Sequence, residues 1–396
     1  MIHSRLNRIE AHIEQRIQDR KLAGAVSLVA LNGRIVHCKA QGLADVETGK
    51  LLERDAIFRL ASMTKPIIGV AVMMLVEEGK IKLSDPLGKF IPEFTHMKVG
   101  VPNSAASATP YHSDPNAPAG LITDFLSEYT LSSTDRGIIV HDLLTHSCGL
   151  GQGPIGFREM LMPGLEDTLA IHIPKWAKVP LDFQPGSQTG YSPIAAFDIL
   201  GRVIEIASGM PLDQYLHQFL FQPLGMKDTT FVPSDKQWQR VVTMYEGTDQ
   251  GLVKFKEQKI FFHPHYFSGA AGLFGTLDDY CRFAQMLANG GELGGYRILS
   301  EMSVHIMGTA QLADTIVGFP HGQAWGLSMR VVTDRAAAGT SLSKGSFGWS
   351  GAWGTHFWVD PKENLVALLM INLANAGGAD AETAREFEWA VMRSLN

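Results

Sequence analysis

The stretch "RLASMTKPI" (residues 59–67) sets Ser62 and Lys65 three positions apart and puts Pro66 straight after them. It then runs into an almost wholly apolar segment from Ile67 to Val76. Residues three apart share a helix face. A helix beginning here has no wet side and must be central. Pro66 fits a first turn, where its missing N–H has no partner to lose. Two readings compete. Ser62 and Lys65 either cap and solubilise a helix start, or the lysine takes the serine's proton. Burial beside an apolar helix disfavours the ammonium and makes an amine a usable proton acceptor. The free N–H groups at the helix start favour developing negative charge. A long polar side chain leading into a dry helix is costly without a partner or a task.

Outward from this helix, Glu77 and Glu78 end it and Gly79 supplies the C-cap. Upstream, residues 1–24 read as a charged amphipathic helix without the apolar core of a signal peptide. Asn32–Gly33 between two β-rich runs predicts a tight hairpin. Residues 97–120, rich in Pro, Ser, Ala and Asn, read as a long excursion, either a loop or a wall of the site. Helical patterns dominate from about 138 to 230 and return at 276–291. The C-terminal quarter turns back to strands, joined by "DPKEN" (360–364), and a final helix covers about 380–395. This predicts an α/β (α+β) fold. One antiparallel sheet is built from both termini and flanked by the terminal helices, with an inserted, mainly helical lobe. The expected division is 1–80 with 300–396 against 81–299, with a cleft between the lobes as the natural site.

Composition narrows the function. With 396 residues, 45% apolar and 19% charged, the chain can build a large core and is not disordered. A formal charge of -6 offers no basic field for nucleic acid or anionic lipid. No apolar run is long enough for a membrane span. Three widely spaced cysteines, Cys38, Cys148 and Cys281, predict neither a disulfide framework nor a zinc site, and point to the cytoplasm. His141/His146 and His263/His265 lack metal-ligand company and read as structural, so no metal or cofactor is expected. Cys148 reads as a small buried residue rather than a nucleophile. No Gly-x-Ser-x-Gly elbow, His-Glu-x-x-His or phosphate-binding glycine loop occurs.

Two further stretches bear on chemistry. Tyr191 lies in "PGSQTGYSPIAAFDILG" (185–201), a glycine-rich loop entering a helix. Its phenol either hands protons between Ser62, Lys65 and a leaving group or simply packs the loop onto the core. In "FGWSGAWGTHF" (347–357), glycines 348, 351 and 354 mark close backbone approach. A free N–H there pairs with the Ser62 N–H as an oxyanion hole, or the stretch is a β-bulge packing on a helix.

Taken in order, "SMTKP", "LLTHSCGL", "YSPIAAFDILGRVIEIASGMPLDQYL", "GAAGLFGTLDDYCRFAQMLANGG" and "VDPKENLVALLMIN" resemble the serine β-lactamase and penicillin-binding-protein superfamily. Within it the chain is most similar to the class C-like esterases called family VIII carboxylesterases. The resemblance implies Ser62 as acyl-accepting nucleophile, Lys65 as its base partner and Tyr191 as second proton carrier. It implies the backbone N–H groups of Ser62 and Ala352 as oxyanion donors, with Trp349, Gly351, Met63 and Pro193 around the substrate. Two departures matter. The family's asparagine two residues after the tyrosine is Pro193 here, and the Lys-Thr-Gly triplet aligns with Trp349-Ser350-Gly351. An amide and a cation that would meet an anionic β-lactam are replaced by a ring and an indole. Lys344 is the remaining nearby cation. The expected activity is hydrolysis of neutral carboxylic esters with short-to-medium acyl chains. A β-lactamase, a D-alanyl peptidase and an acyltransferase are the alternatives, and a small-molecule ester is the expected partner.

Overall fold

The computed structural model describes residues 2–103, 128–259, 262–374, 376–378 and 381–395; side chains are described from residue 6 onward. Eight antiparallel strands form the main sheet, in the spatial order Gln323–Trp325, Arg330–Val332, Phe347–Ser350, His356–Asp360, Leu365–Ile371, Gly24–Leu31, Arg34–Asp45, Lys50–Leu51. The first strand of the chain thus pairs with the last long one, Ala25 opposite Ile371. Both termini build one sheet, and the α/β fold read from the sequence stands. Asn32 and Gly33 both take positive φ (50° and 73°), so the first hairpin closes through a tight turn whose twist suits the strands.

Strand alternation divides the core in two. Ala25, Val29, Trp358, Leu365, Ala367 and Leu369 face one side, where Leu6, Ile9, Phe387 and Val391 of the terminal helices Ile2–Gln18 and Glu382–Leu395 cover them. Val26, Leu28, Phe357, Val366 and Leu368 face the other side and join the larger core with the central helix. With both faces covered, strand Leu365–Ile371 is buried at every position, which explains its unbroken apolar run.

Two expectations change here. The boundary near residue 299 falls too late, because helix Leu277–Ala288 packs on the main sheet. The strand before it, Phe274–Thr276, pairs with Ile57–Arg59. Chain order alone hid this, since the amphipathic helix suits either lobe. Of the 97–120 excursion, Lys98–Pro102 is a strand paired with Tyr129–Ser133; residues 104–127 lie outside the described residues.

The central helix runs Thr64–Glu77 and buries Thr64 through Leu75 without interruption. It ends in paired bonds from Gly79 N–H to Val76 O and from Lys80 N–H to Leu75 O, a Schellman closure. A short 3₁₀ turn, Ala61–Met63, precedes it. Ser62 therefore sits in the turn that feeds the helix rather than at its N-cap, and neither helix start receives a side-chain cap bond.

Candidate active site

Strand Ile57–Arg59 enters the Ser62 turn, and Ala61 adopts a left-handed backbone (φ 46°) just before the serine. A non-glycine residue in that region is strained and needs support. Support comes from the segment after strand Phe347–Ser350. Thr355 Oγ1 donates to Leu60 O (3.0 Å) and Gly351 N–H donates to Thr355 O (2.7 Å). A side chain at Gly351 would place its Cβ 2.4 Å from Leu60 O and 2.2 Å from Thr355 Oγ1, so only glycine lets the two backbones meet. That approach sets the exposed Ala352 beside the serine turn. Among the described residues, neither the Ser62 N–H nor the Ala352 N–H has a hydrogen-bond partner. Both remain available as donors.

Ser62 Oγ is held from two sides. Lys65 Nζ lies 3.1 Å away and the Tyr191 hydroxyl 2.7 Å away. Lys65 is fully buried, and its Nζ also donates to Pro193 O (2.8 Å) and Ala270 O (3.0 Å). Three partners suit both protonation states without moving an atom. An ammonium gives a proton to each. A neutral amine gives two protons to the carbonyls and turns its lone pair to the Ser62 hydroxyl. The pair makes no side-chain cap at either helix start, and Ser62 Oγ lies within hydrogen-bond reach of both Lys65 and Tyr191. The faces of Tyr191 and Phe197 lie 5.0 and 5.7 Å from Nζ. One peptide further out, Ala270 N–H donates to Asp198 (2.9 Å), which also accepts from Tyr266 and Ser268 (2.7 Å each). Burial raises the Asp198 pKa above the usual carboxylate value against those bonds and the Lys65 charge.

An aromatic wall faces the phenol. Trp349 Nε1–H points at the Tyr191 oxygen (3.4 Å), and its ring centroid lies 5.3 Å from that of Tyr191. Trp325 packs on Trp349 (4.8 Å), and Phe319 packs on Trp325 (4.7 Å). The indole of Trp349 is thus more than an apolar plate, because its N–H also meets the phenol oxygen. Lys344 does not replace the missing cation. It is exposed and precedes the start of strand Phe347–Ser350, at the end away from Gly351.

The structure brings together Ser62, Lys65, Tyr191, Trp349, Gly351 and Pro193, the last through its carbonyl rather than its ring. Met63 does not line an open pocket. Its side chain is 0% exposed within the main core, and its carbonyl accepts from Tyr280 (2.9 Å). In the tight turn, the residue after the serine points inward. Cys148 is buried, and burial pushes its thiol up to about 12, which suits a packing role. Sequence reasoning missed Ala270 and Trp325. Glycines 269 and 272 around "GAAG" were the available signal for the first: a Cβ at Gly269 would lie 2.4 Å from Phe197 O, and that close approach seats Ala270 near Lys65.

Comparison with known proteins gives the family and the fold. The Beta-lactamase family model matches residues 9–388. Esterase EstB of Burkholderia gladioli is 33% identical over 399 residues, covering 93% of this chain and 91% of its own. A putative D-alanyl-D-alanine carboxypeptidase of Escherichia coli K12 is 26% identical, over 96% of this chain and 84% of its own. Among solved structures, EstCE1, described as a hydrolase with promiscuous acyltransferase activity, superposes with a TM-score of 0.80. It is 25% identical and covers 98% of this chain and 99% of its own. A match running almost end to end, on a fold of this kind, places the chain in the Beta-lactamase family, among the serine hydrolases of the β-lactamase and penicillin-binding-protein superfamily.

Proposed function

We propose that the chain is a carboxylesterase acting on neutral esters with short-to-medium acyl groups. The carrying observation is Ser62 Oγ held between Lys65 Nζ and the Tyr191 hydroxyl, in front of an indole where a cation would meet an anionic substrate. Ser62 Oγ attacks the ester carbonyl and its proton passes to the Lys65–Tyr191 pair. Both groups touch the same oxygen, so either can receive that proton. The oxyanion rests on the N–H groups of Ser62 and Ala352. Collapse breaks the bond to the alkoxy oxygen, which leaves as alcohol with a proton from Tyr191. Water then attacks the acyl-enzyme, gives its proton to the same pair, and the acid departs as Ser62 regains its own proton.

Substrate choice follows from the wall. A β-lactam or peptide carboxylate loses an amide at Pro193 and a cation at Trp349, each worth about 1.5–3 kcal/mol as a charge-assisted hydrogen bond. A neutral ester loses neither. The esterase among the relatives supports this reading. Rates on p-nitrophenyl butyrate and nitrocefin, measured side by side, test it. The ester should turn over at least about a hundredfold faster in kcat/KM, and Ser62→Ala should remove that turnover. Faster nitrocefin cleavage would favour a β-lactamase. The structural relative described with acyltransferase activity supports one extension. An added alcohol should compete with water for the acyl-enzyme, and product analysis should show a new ester alongside the acid.

A further inference from the structure

Tyr191 lies on a loop, yet its hydroxyl must sit over Ser62 to within a few tenths of an ångström. Thr189 N–H donates to Val317 O (2.9 Å) and Ser192 Oγ to Leu150 O (3.1 Å), but the bonds nearest Tyr191 converge on His146. The carbonyl of His146 accepts from Gly190 N–H (3.1 Å), Thr189 Oγ1 (2.6 Å) and Gln152 Nε2 (2.6 Å). The imidazole Nδ1 accepts from Ser192 N–H (3.1 Å). Residues 189, 190 and 192 thus all bind His146, and the ring of the residue between them, Tyr191, packs on the imidazole at 4.8 Å. The other sides of the imidazole meet Trp325 (4.3 Å) and Phe197 (5.2 Å).

We propose that His146 is the positioning residue for Tyr191: it aims the phenol at Ser62 by clamping the loop from both its carbonyl and its ring. The inference rests on the esterase reading above. The acceptor role fixes the tautomer. Nδ1 carries the lone pair that Ser192 N–H requires, so the ring's one proton sits on Nε2. That N–H is buried and has no partner among the described residues. His146 also takes a left-handed backbone (φ 52°). Both features cost stability. An apolar residue would avoid the orphaned N–H but leave the Ser192 N–H without its acceptor. Burial, helped by the Lys65 charge, holds the imidazole pKa well below its ordinary value, which keeps the neutral acceptor form. His146 is 0% exposed, so its role is to position Tyr191 rather than to meet substrate itself.

The test is a double-mutant cycle on p-nitrophenyl butyrate, with labelling of Ser62 by a fluorophosphonate as a second rate. His146→Ala should lower kcat about 30- to 100-fold, the usual effect of misplacing a reacting group by an ångström, with KM within about threefold. In a Tyr191→Phe background the same change should cost less than about threefold, because no hydroxyl is left to aim. His146→Asn should recover most of the loss. Its carboxamide oxygen replaces Nδ1 as acceptor, and asparagine tolerates the left-handed backbone. Asn also serves if the alanine variant fails to fold. An equal loss in both backgrounds, a change confined to KM, or an Asn variant with wild-type tyrosine that is as slow as the Tyr191→Phe enzyme would overturn the proposal. The parent reading fails separately, through a wild-type protein that neither hydrolyses the ester nor labels at Ser62; the proposal then falls with it.

Discussion

Two serine-centred clusters sit on either side of strand Phe347–Ser350. On one side, Ser62 meets Lys65 and Tyr191. On the other, Ser350 Oγ lies 2.6 Å from His356 Nδ1, and His356 Nε2 lies 3.2 Å from Glu388 Oε1. By residue type the second cluster has the parts of a serine, histidine and acid triad. It lacks the rest. Ser350 is 3% exposed and His356 and Glu388 are 1% and 2%, so no substrate reaches them. Glu388 faces Arg330 at 3.0 Å and accepts from Thr340 (3.2 Å), which makes the group a buried ionic lock between the sheet and the C-terminal helix. Burial opposes ionisation of Glu388, but His356 and Arg330 outweigh it and hold the carboxyl below its usual range. Residue types alone do not make an active site. Ser62 is partly exposed and has two free N–H donors beside it, and Ser350 is sealed.

This contrast can be broken or sharpened by substitution. Lys65→Ala should cost the largest amount, about a thousandfold in kcat, or about 4 kcal/mol, since proton transfer from Ser62 then lacks its amine. Ser350→Ala should change kcat/KM by less than about threefold under the same assay. Glu388→Gln should read in the opposite channel. Removing the buried negative charge that Arg330 and His356 face should lower unfolding free energy by about 3 kcal/mol in urea titrations, with kcat of the folded enzyme unchanged within about twofold. Gly351→Ala forces a methyl toward Leu60 O and Thr355 Oγ1. It should slow turnover about 30-fold by displacing the Ala352 donor, with a modest loss of melting temperature.

The smallest effect concerns acid. His146 and His37 have folded pKa values below 6.5, through burial in each case, while the unfolded chain binds their protons near that pH. Their contribution to stability is present above about 6.5 and is lost as pH falls, at up to about 1.4 kcal/mol per pH unit for each group. His146→Asn should flatten the stability–pH curve between pH 7 and 5 relative to wild type.

The clusters also differ in how far the sequence exposes them. Ser62 and Lys65 announce themselves within one turn, because helical spacing and an apolar continuation act locally. Tyr191 and the glycines around Trp349 were visible as loop and interrupted strand, though the indole N–H meeting the phenol was not. Ser350, His356 and Glu388 come from two strands and a helix, and no local pattern joins residues 350 and 388. The sheet itself was readable from strands at both ends of the chain. The assignment of helix Leu277–Ala288 to that sheet was not, because an amphipathic face says that a helix is covered without saying by what. Met63 was misplaced for a similar reason: one residue along a 3₁₀ turn is the difference between cleft and core.

The central claim is that acyl chemistry occurs at Ser62 and nowhere else. Treatment with a fluorophosphonate followed by peptide mass spectrometry tests it most directly. The account predicts a single adduct on the peptide carrying Ser62, absent in Ser62→Ala. An adduct on the Ser350 peptide, or an unmodified Ser62 in protein that hydrolyses esters, would contradict it.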